Sequence, residues 1–326
     1  MQPLKSIFAR RLVGLDIGVS GIKAVELTAA KNPRLMAYNR VPLPWDAITK
    51  EGEIRKRDYV VAALKRMFEQ RFFSTKRVAV GAFGNSIISK KITLPRMTRQ
   101  ELAHQLYWEA EQYIPFDINE VNVDFAILGN SKGSQAQTPM MDVLLVAAKK
   151  EYIESLRSIT ADAGLKLDVI DHQAFAIGNA FEFNYGYTQE EAKTPSANVI
   201  VDFGAGSTKV SFVESDKTTF TRELRQSGIG CTQNISERLS IPLAEAEKIK
   251  ITEPTSTLCA PIINEFTSNL VEELSRTIDF YSSQNTDVML QGIYICGGGS
   301  QLNGLIAAMS NHFPVPVNQF VQIQIS

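Results

Sequence analysis

Two stretches of this sequence repeat one another. Residues 12–27 read LVGLDIGVSGIKAVEL and residues 199–213 read VIVDFGAGSTKVSFV. In each, an apolar run leads into Asp-x-Gly and a second apolar run follows. Aligning Asp16 on Asp202 also aligns Gly18 with Gly204, Ser20 with Gly206 and Ile22 with Thr208. Apolar runs broken by Gly and Asp predict strand–turn–strand, so the echo predicts two related halves, each opening with a β-hairpin. At 326 residues the chain has room for about two domains, and 44% hydrophobic content fills real cores.

The turns carry the chemistry. A tight hairpin with Gly at its tip lets backbone N–H groups approach phosphate oxygens closely. Ser20 and Gly21 lie in the first turn, with Lys23 just beyond it; Gly204, Gly206, Ser207 and Thr208 lie in and after the second. Asp16 and Asp202, facing one another beside a triphosphate, would address Mg²⁺ through its waters. Either motif alone reads equally well as an ordinary Asx turn. Two in one frame, half a chain apart, point to a nucleotide. The run IYICGGGS at 293–300 predicts a strand emptying into a turn at Gly297, Gly298, Gly299 and Ser300, either a flexible turn or a close seat for an adenosine.

Between these motifs the pattern alternates helix and strand. Residues 54–73 predict a helix with Ile54, Val61, Leu64, Met67 and Phe72 among its apolar positions, and 77–83 a buried strand. A compact α+β unit follows. It comprises a strand at 86–94, a helix over 98–113 opened by a Thr98/Glu101 capping box and barred by Pro115, and a half-buried strand at 121–127. A polar loop at 129–139, a strand at 141–148 and a helix at 150–163 stopping at Gly164 complete it. Residues 165–181 predict a strand running into a helix, 188–198 a boundary between halves, and 230–251 and 261–284 two helices. Residues 302–313 predict a short last helix.

The bulk numbers exclude several classes. A net charge of −1 gives no reason to expect nucleic acid. Three scattered cysteines, Cys231, Cys259 and Cys296, argue against a disulfide framework or zinc site and read as reduced, buried thiols. No run approaches the roughly 18 apolar residues that span a bilayer. The leader MQPLKSIFARR reads either as disordered or as a short membrane-touching helix, with Leu4, Ile7 and Phe8 beside Lys5, Arg10 and Arg11. No complete G-x-G-x-x-G or G-x-x-x-x-G-K-[ST] is present, which removes the dinucleotide and P-loop readings.

The set LDIGVSGIK, VDFGAGSTK and YICGGGSQL resembles the two phosphate motifs and the adenosine motif of the actin, Hsp70 and sugar-kinase superfamily. The resemblance implies an α/β actin-like ATPase fold with the nucleotide cleft between two related halves, and ATP (or ADP) with Mg as cofactors. It also implies a nucleoside contact from Glu247 and Lys250, one turn apart in AEKIKI; an ordinary solvated helix face is the other reading of that pair. IDHQAFAIG resembles the superfamily's connecting helix. Asp171 takes the water-positioning place where Glu or Gln is usual, which implies slow ATPase activity at most; an N-cap without a catalytic task is the other reading.

More narrowly, RLVGLDIG, VAVGAFGNSIISKKITLPRMTRQEL, EAEQYIPFDINEV, VLLVAAKKEYIESL and LKLDVIDHQAFAIGNAF resemble the PilM family of type IV pilus assembly proteins, relatives of the division protein FtsA. That resemblance implies subdomain 1A at 1–85 and 166–195, an inserted FtsA-like 1C at 86–165, 2A at 196–225 and 288–326, and 2B at 226–287. It implies a cytoplasmic scaffold, peripheral at the inner membrane through its partners, holding the N-terminal tail of the membrane protein PilN as an extended peptide between 1A and 1C. Ile87, Ile88, Tyr107, Ile114 and Phe116 are the candidate partner-binding residues, with ordinary core as the competing reading for the aromatics, Trp108 and Tyr113 included. A pilus motor ATPase and self-association are further implied partners. Members of the family usually continue with another helix, so the ending VNQFVQIQIS reads as a shortened second half. A small-molecule kinase and an FtsA-like membrane-tethered filament are the alternative functions.

Overall fold

The computed structural model describes residues 11–30, 33–69, 72–131, 139–186, 195–214 and 217–320. Most of the leader, most of the 129–139 loop, 187–194 and the last six residues lie outside that set. The chain divides into two units, Met1–Gln173 and Ala174–Ser326.

In the first unit β1 (Val13–Gly18), β2 (Gly21–Leu27) and β3 (Leu35–Pro42) form an antiparallel meander. β4 (Arg77–Ala82) and β8 (Lys166–His172) extend it in parallel, giving the order β3-β2-β1-β4-β8. α1 (Arg57–Glu69) covers this sheet with Val60, Leu64 and Met67, spaced i, i+4, i+7 on one stripe. The helix is shorter than expected at both ends. Ile54 is taken by an antiparallel bridge to Ile48, and Phe72 lies exposed beyond the last turn.

The second unit repeats this plan. β9 (Ser196–Phe203), β10 (Thr208–Glu214) and β11 (Lys217–Leu224) are an antiparallel meander, and β12 (Met289–Cys296) and β13 (Val317–Gln319) extend it in parallel. The order β11-β10-β9-β12-β13 matches β3-β2-β1-β4-β8 position for position. β9 is buried along its whole length because both faces are covered. Val199, Val201 and Phe203 enter the large core, while Ile200 packs with Phe181 of α4 (Gln173–Tyr185).

The expected helix at 230–251 is instead two, α5 (Gly228–Leu239) and α6 (Leu243–Thr252). Ser240 adopts a left-handed φ of 54°, and Pro242 cannot continue the helix behind it, so the chain turns there. α7 (Ala260–Gln284) then runs through the core with Ile263, Phe266, Leu270, Leu274 and Tyr281, and α8 (Leu305–His312) links β12 to β13.

A separate sheet rises from the first unit, built from β5 (Ile87–Pro95), β6 (Val121–Asn130) and β7 (Met140–Lys149) in the antiparallel order β5-β7-β6. α2 (Arg99–Ala110) covers one face with Leu102, Leu106 and Ala110, and the Thr98/Glu101 capping box is formed. This helix ends at Ala110, short of the expected Tyr113, and Trp108 is 72% exposed instead of core. α3 (Lys150–Asp162) turns back to pack on α1 and β8.

Two glycines fasten the root of this sheet. Gly52 and Gly84 both have φ of +86°; a Cβ on Gly84 would lie 2.1 Å from the Glu51 carbonyl oxygen, and one on Gly52 2.8 Å from that of Phe83. Asn85 N–H donates to Glu51 O at 3.1 Å, and Lys149 N–H to Ser86 O at 2.9 Å.

Candidate functional site: two glycine hairpins

In the first unit Asp16 stands opposite Lys23 across the β1–β2 hairpin, and the ammonium meets Asp16 Oδ2 at 2.6 Å. Gly21 is pressed by β3, since a Cβ there would sit 2.6 Å from the Val41 carbonyl oxygen at a φ of +155°. Gly18 lies beneath the Asp16 carboxylate, and Ser20, half-buried in the turn, accepts Leu43 N–H through its carbonyl at 3.3 Å.

The helix following β8 begins at Gln173, so its opening polar residue is Gln173 and not Asp171. Gln173 Nε2 donates to Asp16 Oδ1 at 3.1 Å, and its Oε1 is buried without a hydrogen-bond partner among the described residues. Asp171 is still inside β8, accepting His172 N–H at 2.8 Å. Surrounding protein raises its carboxyl pKa by desolvation even though the residue stays open to solvent. The misplacement came from reading one polar run, Asp171–His172–Gln173, without knowing where strand gives way to helix.

In the second unit Asp202 stands opposite Lys209 in the same register, with the ammonium farther off at 4.0 Å from Oδ2. Cys296, its neighbour on β12, places Sγ 4.0 Å from Oδ1. Gly204 N–H bridges to Asp202 O and Ser207 O at 3.1 and 3.0 Å, closing the turn. Gly206 is buried, Thr208 Oγ1 donates to Gln226 O at 2.7 Å, and Ser207 Oγ is buried with no partner among the described residues. The first N–H groups of α5 cap this hairpin, Gly228 donating to Gly204 O at 3.0 Å and Ile229 to Ala205 O at 2.9 Å.

The triple glycine is three different residues. Gly297 has φ 81° and ψ 168°, and a Cβ there would lie 2.5 Å from both Asp202 Oδ1 and Phe203 O. A Cβ on Gly299 would lie 2.5 Å from the Phe203 ring, whereas one on Gly298 meets nothing within 4 Å. Ser300 is buried and donates to Gly297 O at 2.8 Å.

Glu247 and Lys250 are neither a solvated pair nor free. Lys250 Nζ donates to Glu247 Oε2, Thr232 Oγ1 and Gly228 O at 2.6, 2.7 and 3.0 Å, so its three protons have three acceptors. The pair ties α6 to the N-terminal turn of α5. Nearby Cys231 is buried, which pushes its thiol pKa up to about 12.

The candidate partner residues disperse. Ile87 and Ile88 are adjacent in a strand and so face opposite sides; only Ile88 packs with the α2-covered core. Ile114 is a core residue, 6% exposed. Phe116 is half-buried with Lys149 Nζ 5.1 Å from its ring centre, and Lys90 sits likewise over Tyr113 at 5.5 Å. The Tyr107 side chain lies outside the described residues.

Residues 14–326 match the family model for type IV pilus assembly protein PilM. The chain belongs to the PilM family. It is 28% identical to a chain of a solved PilM–PilN type IV pilus biogenesis complex, with a TM-score of 0.82, covering 95% of this chain and 88% of that one. Cell division protein FtsA of Streptococcus pneumoniae serotype 2 is 22% identical over 358 residues, covering 96% of this chain and 76% of FtsA. MreB5 of Spiroplasma citri bound to ADP shares the fold, with 13% identity and a TM-score of 0.51 over 97% of this chain and 93% of MreB5. The fold of this PilM family member is that of the actin-like ATPases. Among its described residues no helix is long and apolar enough to cross a membrane.

Proposed function

We propose that this chain is an ATP-binding scaffold of type IV pilus assembly that docks the N-terminal cytoplasmic tail of a PilN-like membrane protein. The observation that carries the reading is the likeness, over nearly the whole of both chains, to a PilM–PilN complex. Docking to such a tail would hold the chain peripherally at the cytoplasmic face of the inner membrane. The docking element is the sheet β5-β7-β6 with α2, within the inserted subdomain at 86–165.

The nucleotide, ATP or ADP, belongs with the glycine hairpins, and the residues present fit it. Gly18, Ser20, Gly21, Gly204, Gly206, Ser207 and Thr208 would offer backbone and hydroxyl donors to phosphate, and Lys23 its charge. The open face of Gly298 between two tightly packed glycines suits a flat ligand pressed on backbone. The buried, unpartnered Ser207 Oγ and Gln173 Oε1 are polar atoms for which a ligand or its waters would supply partners. Asp16 and Asp202 would address Mg²⁺ through water, and the metal would supply charge neutralisation to the phosphates. Glu247 would reach the nucleoside, with Lys250 holding it in place. Gln173, rather than Asp171, is placed to orient a water beside Asp16, and turnover stays slow because an amide is a poor general base.

Calorimetry with Mg·ATP, and fluorescence anisotropy with a labelled N-terminal tail of the cognate PilN-like protein, test the two halves of the proposal. Saturable binding of both is expected; a folded chain that binds neither overturns it.

A further inference from the structure

The two five-stranded sheets agree in plan and differ in one charge. In the first unit Asp16 on β1 faces Lys23 on β2, and Lys23 faces Arg40 on the edge strand β3. In the second, Asp202 on β9 faces Lys209 on β10, and Lys209 faces Glu223 on the edge strand β11. Cross-strand partners share a face of their sheet, so each row presents its charged side chains on one side. The first row carries one positive charge in excess and the second one negative. Asn39 fixes the direction of Arg40. Its side-chain amide donates to Met67 O of α1 at 3.4 Å, so the next residue along the strand points away from that helix. An edge strand tolerates charge, but a cation directly opposite a lysine repels it and weakens the pairing. Lys23 is balanced by Asp16 at 2.6 Å, whereas exposed Arg40 has no carboxylate within ion-pair distance among the described residues.

We propose that Arg40 is a further phosphate-binding residue of the first hairpin; the inference rests on the nucleotide reading above and adds a residue from outside the Asp-x-Gly turn. Asp16 offsets the charge of Lys23, so Arg40 supplies the excess positive charge of this row. An anion touching both cations turns their repulsion into a shared attraction. The planar guanidinium offers paired N–H donors that match two oxygens of one phosphate group, which an ammonium cannot do. Arg40 stands two residues before Pro42, which faces Gly21, so it lies beside the turn and not in it. In the second unit Glu223 holds the equivalent place and would repel a phosphate there. The two hairpins therefore have different tasks. The first attracts by charge, and the second offers backbone and hydroxyl donors.

Calorimetry with Mg·ATP at two salt concentrations, on wild type, Arg40→Gln and Arg40→Lys, tests the assignment. Arg40→Gln is expected to weaken Mg·ATP about 3- to 30-fold, the worth of a hydrogen bond to a charged group discounted for exposure. Arg40→Lys keeps the charge without the fork and should fall between the two. The affinity of Arg40→Gln should also depend less on salt, because one screened contact is gone. Thermal melts separate this role from a structural one. Without nucleotide, Arg40→Gln should melt at or above wild type, since the repulsion with Lys23 is relieved. With Mg·ATP its rise in melting temperature should be smaller than that of wild type. If wild type and Arg40→Gln bind Mg·ATP equally, or if Arg40→Gln melts well below wild type without nucleotide, the Arg40 inference falls and the nucleotide reading stands. If wild type binds no Mg·ATP, the nucleotide reading itself has failed and takes this inference with it.

Discussion

Alanine substitution through Gly297, Gly298 and Gly299 separates three physical effects within one turn. At Gly297 two penalties add. The backbone lies at φ 81°, ψ 168°, a region closed to side chains, which costs about 1–3 kcal/mol for a non-glycine residue. The new Cβ also falls 2.5 Å from Phe203 O, a backbone atom fixed within β9, and relieving that overlap costs about another 1–3 kcal/mol. The expected loss is about 2–6 kcal/mol, a large share of the ~5–15 kcal/mol typical of a folded protein. Gly299→Ala runs first into the Phe203 ring, itself buried and stacked near Phe266, so about 1–3 kcal/mol is expected. Gly298→Ala meets nothing and should fall within about 1 kcal/mol of wild type. Urea denaturation of the three purified variants gives the order directly. A Gly297→Ala protein as stable as wild type, or a Gly298→Ala protein as the least stable of the three, would refute the reasoning. If the nucleotide lies against the open face of Gly298, that variant keeps its stability and loses Mg·ATP affinity.

Asp16→Ala and Asp202→Ala should each weaken ATP binding mainly in the presence of Mg²⁺, measured by calorimetry with and without chelator. Gln173→Leu should abolish whatever ATP turnover wild type shows, while Asp171→Ala changes it little; phosphate release reads the difference, and the reverse order would restore Asp171 as the water-positioning residue. Lys250→Met leaves Glu247, Thr232 and Gly228 O without their shared donor and should cost about 1–3 kcal/mol by denaturation, as removing the donor of a partly buried charged pair does. All three cysteines are buried, and the Cys231 thiol stays protonated far above pH 8; a thiol reagent at pH 8 should label none in the native protein and three in urea.

The hairpins were readable because Asp-x-Gly between apolar runs has few structural meanings, and the duplicated sheet order follows from reading them as a repeat. The strands that escaped notice are edge strands. β3 and β11 carry Asn39, Arg40, Lys217, Arg222 and Glu223, residues that a half-solvated edge tolerates and that erase the apolar signal. β13 has three residues, too few for any periodicity. The break between α5 and α6 rests on a left-handed Ser240, a conformation that serine seldom adopts and does not advertise. The helix after β8 starts at Gln173, two residues past Asp171, the scale at which helix starts are ordinarily uncertain. Ile114 was assigned to a surface because Pro115 draws attention to the turn, whereas Tyr113 and Ile114 N–H both donate to Ala110 O and Ile114 is buried in the cluster that also holds Leu106 and Ala110.

The Gly52–Gly84 contact bears on transplanting the three-stranded sheet. The loop before α1 and the connection into β5 touch backbone to backbone, with no side chain between them, and Tyr152 of α3 accepts Phe83 N–H at 3.4 Å from the exit side. A graft cut at the strand ends, 87 and 149, would carry the sheet and its helix but leave half of this fastening in the host. Cutting to include Gly84, and choosing a host loop with glycine at the position of Gly52, would move the mounting together with the module. A chimera lacking either glycine should still form the sheet but swing loosely from its host, with fast amide exchange confined to 83–87.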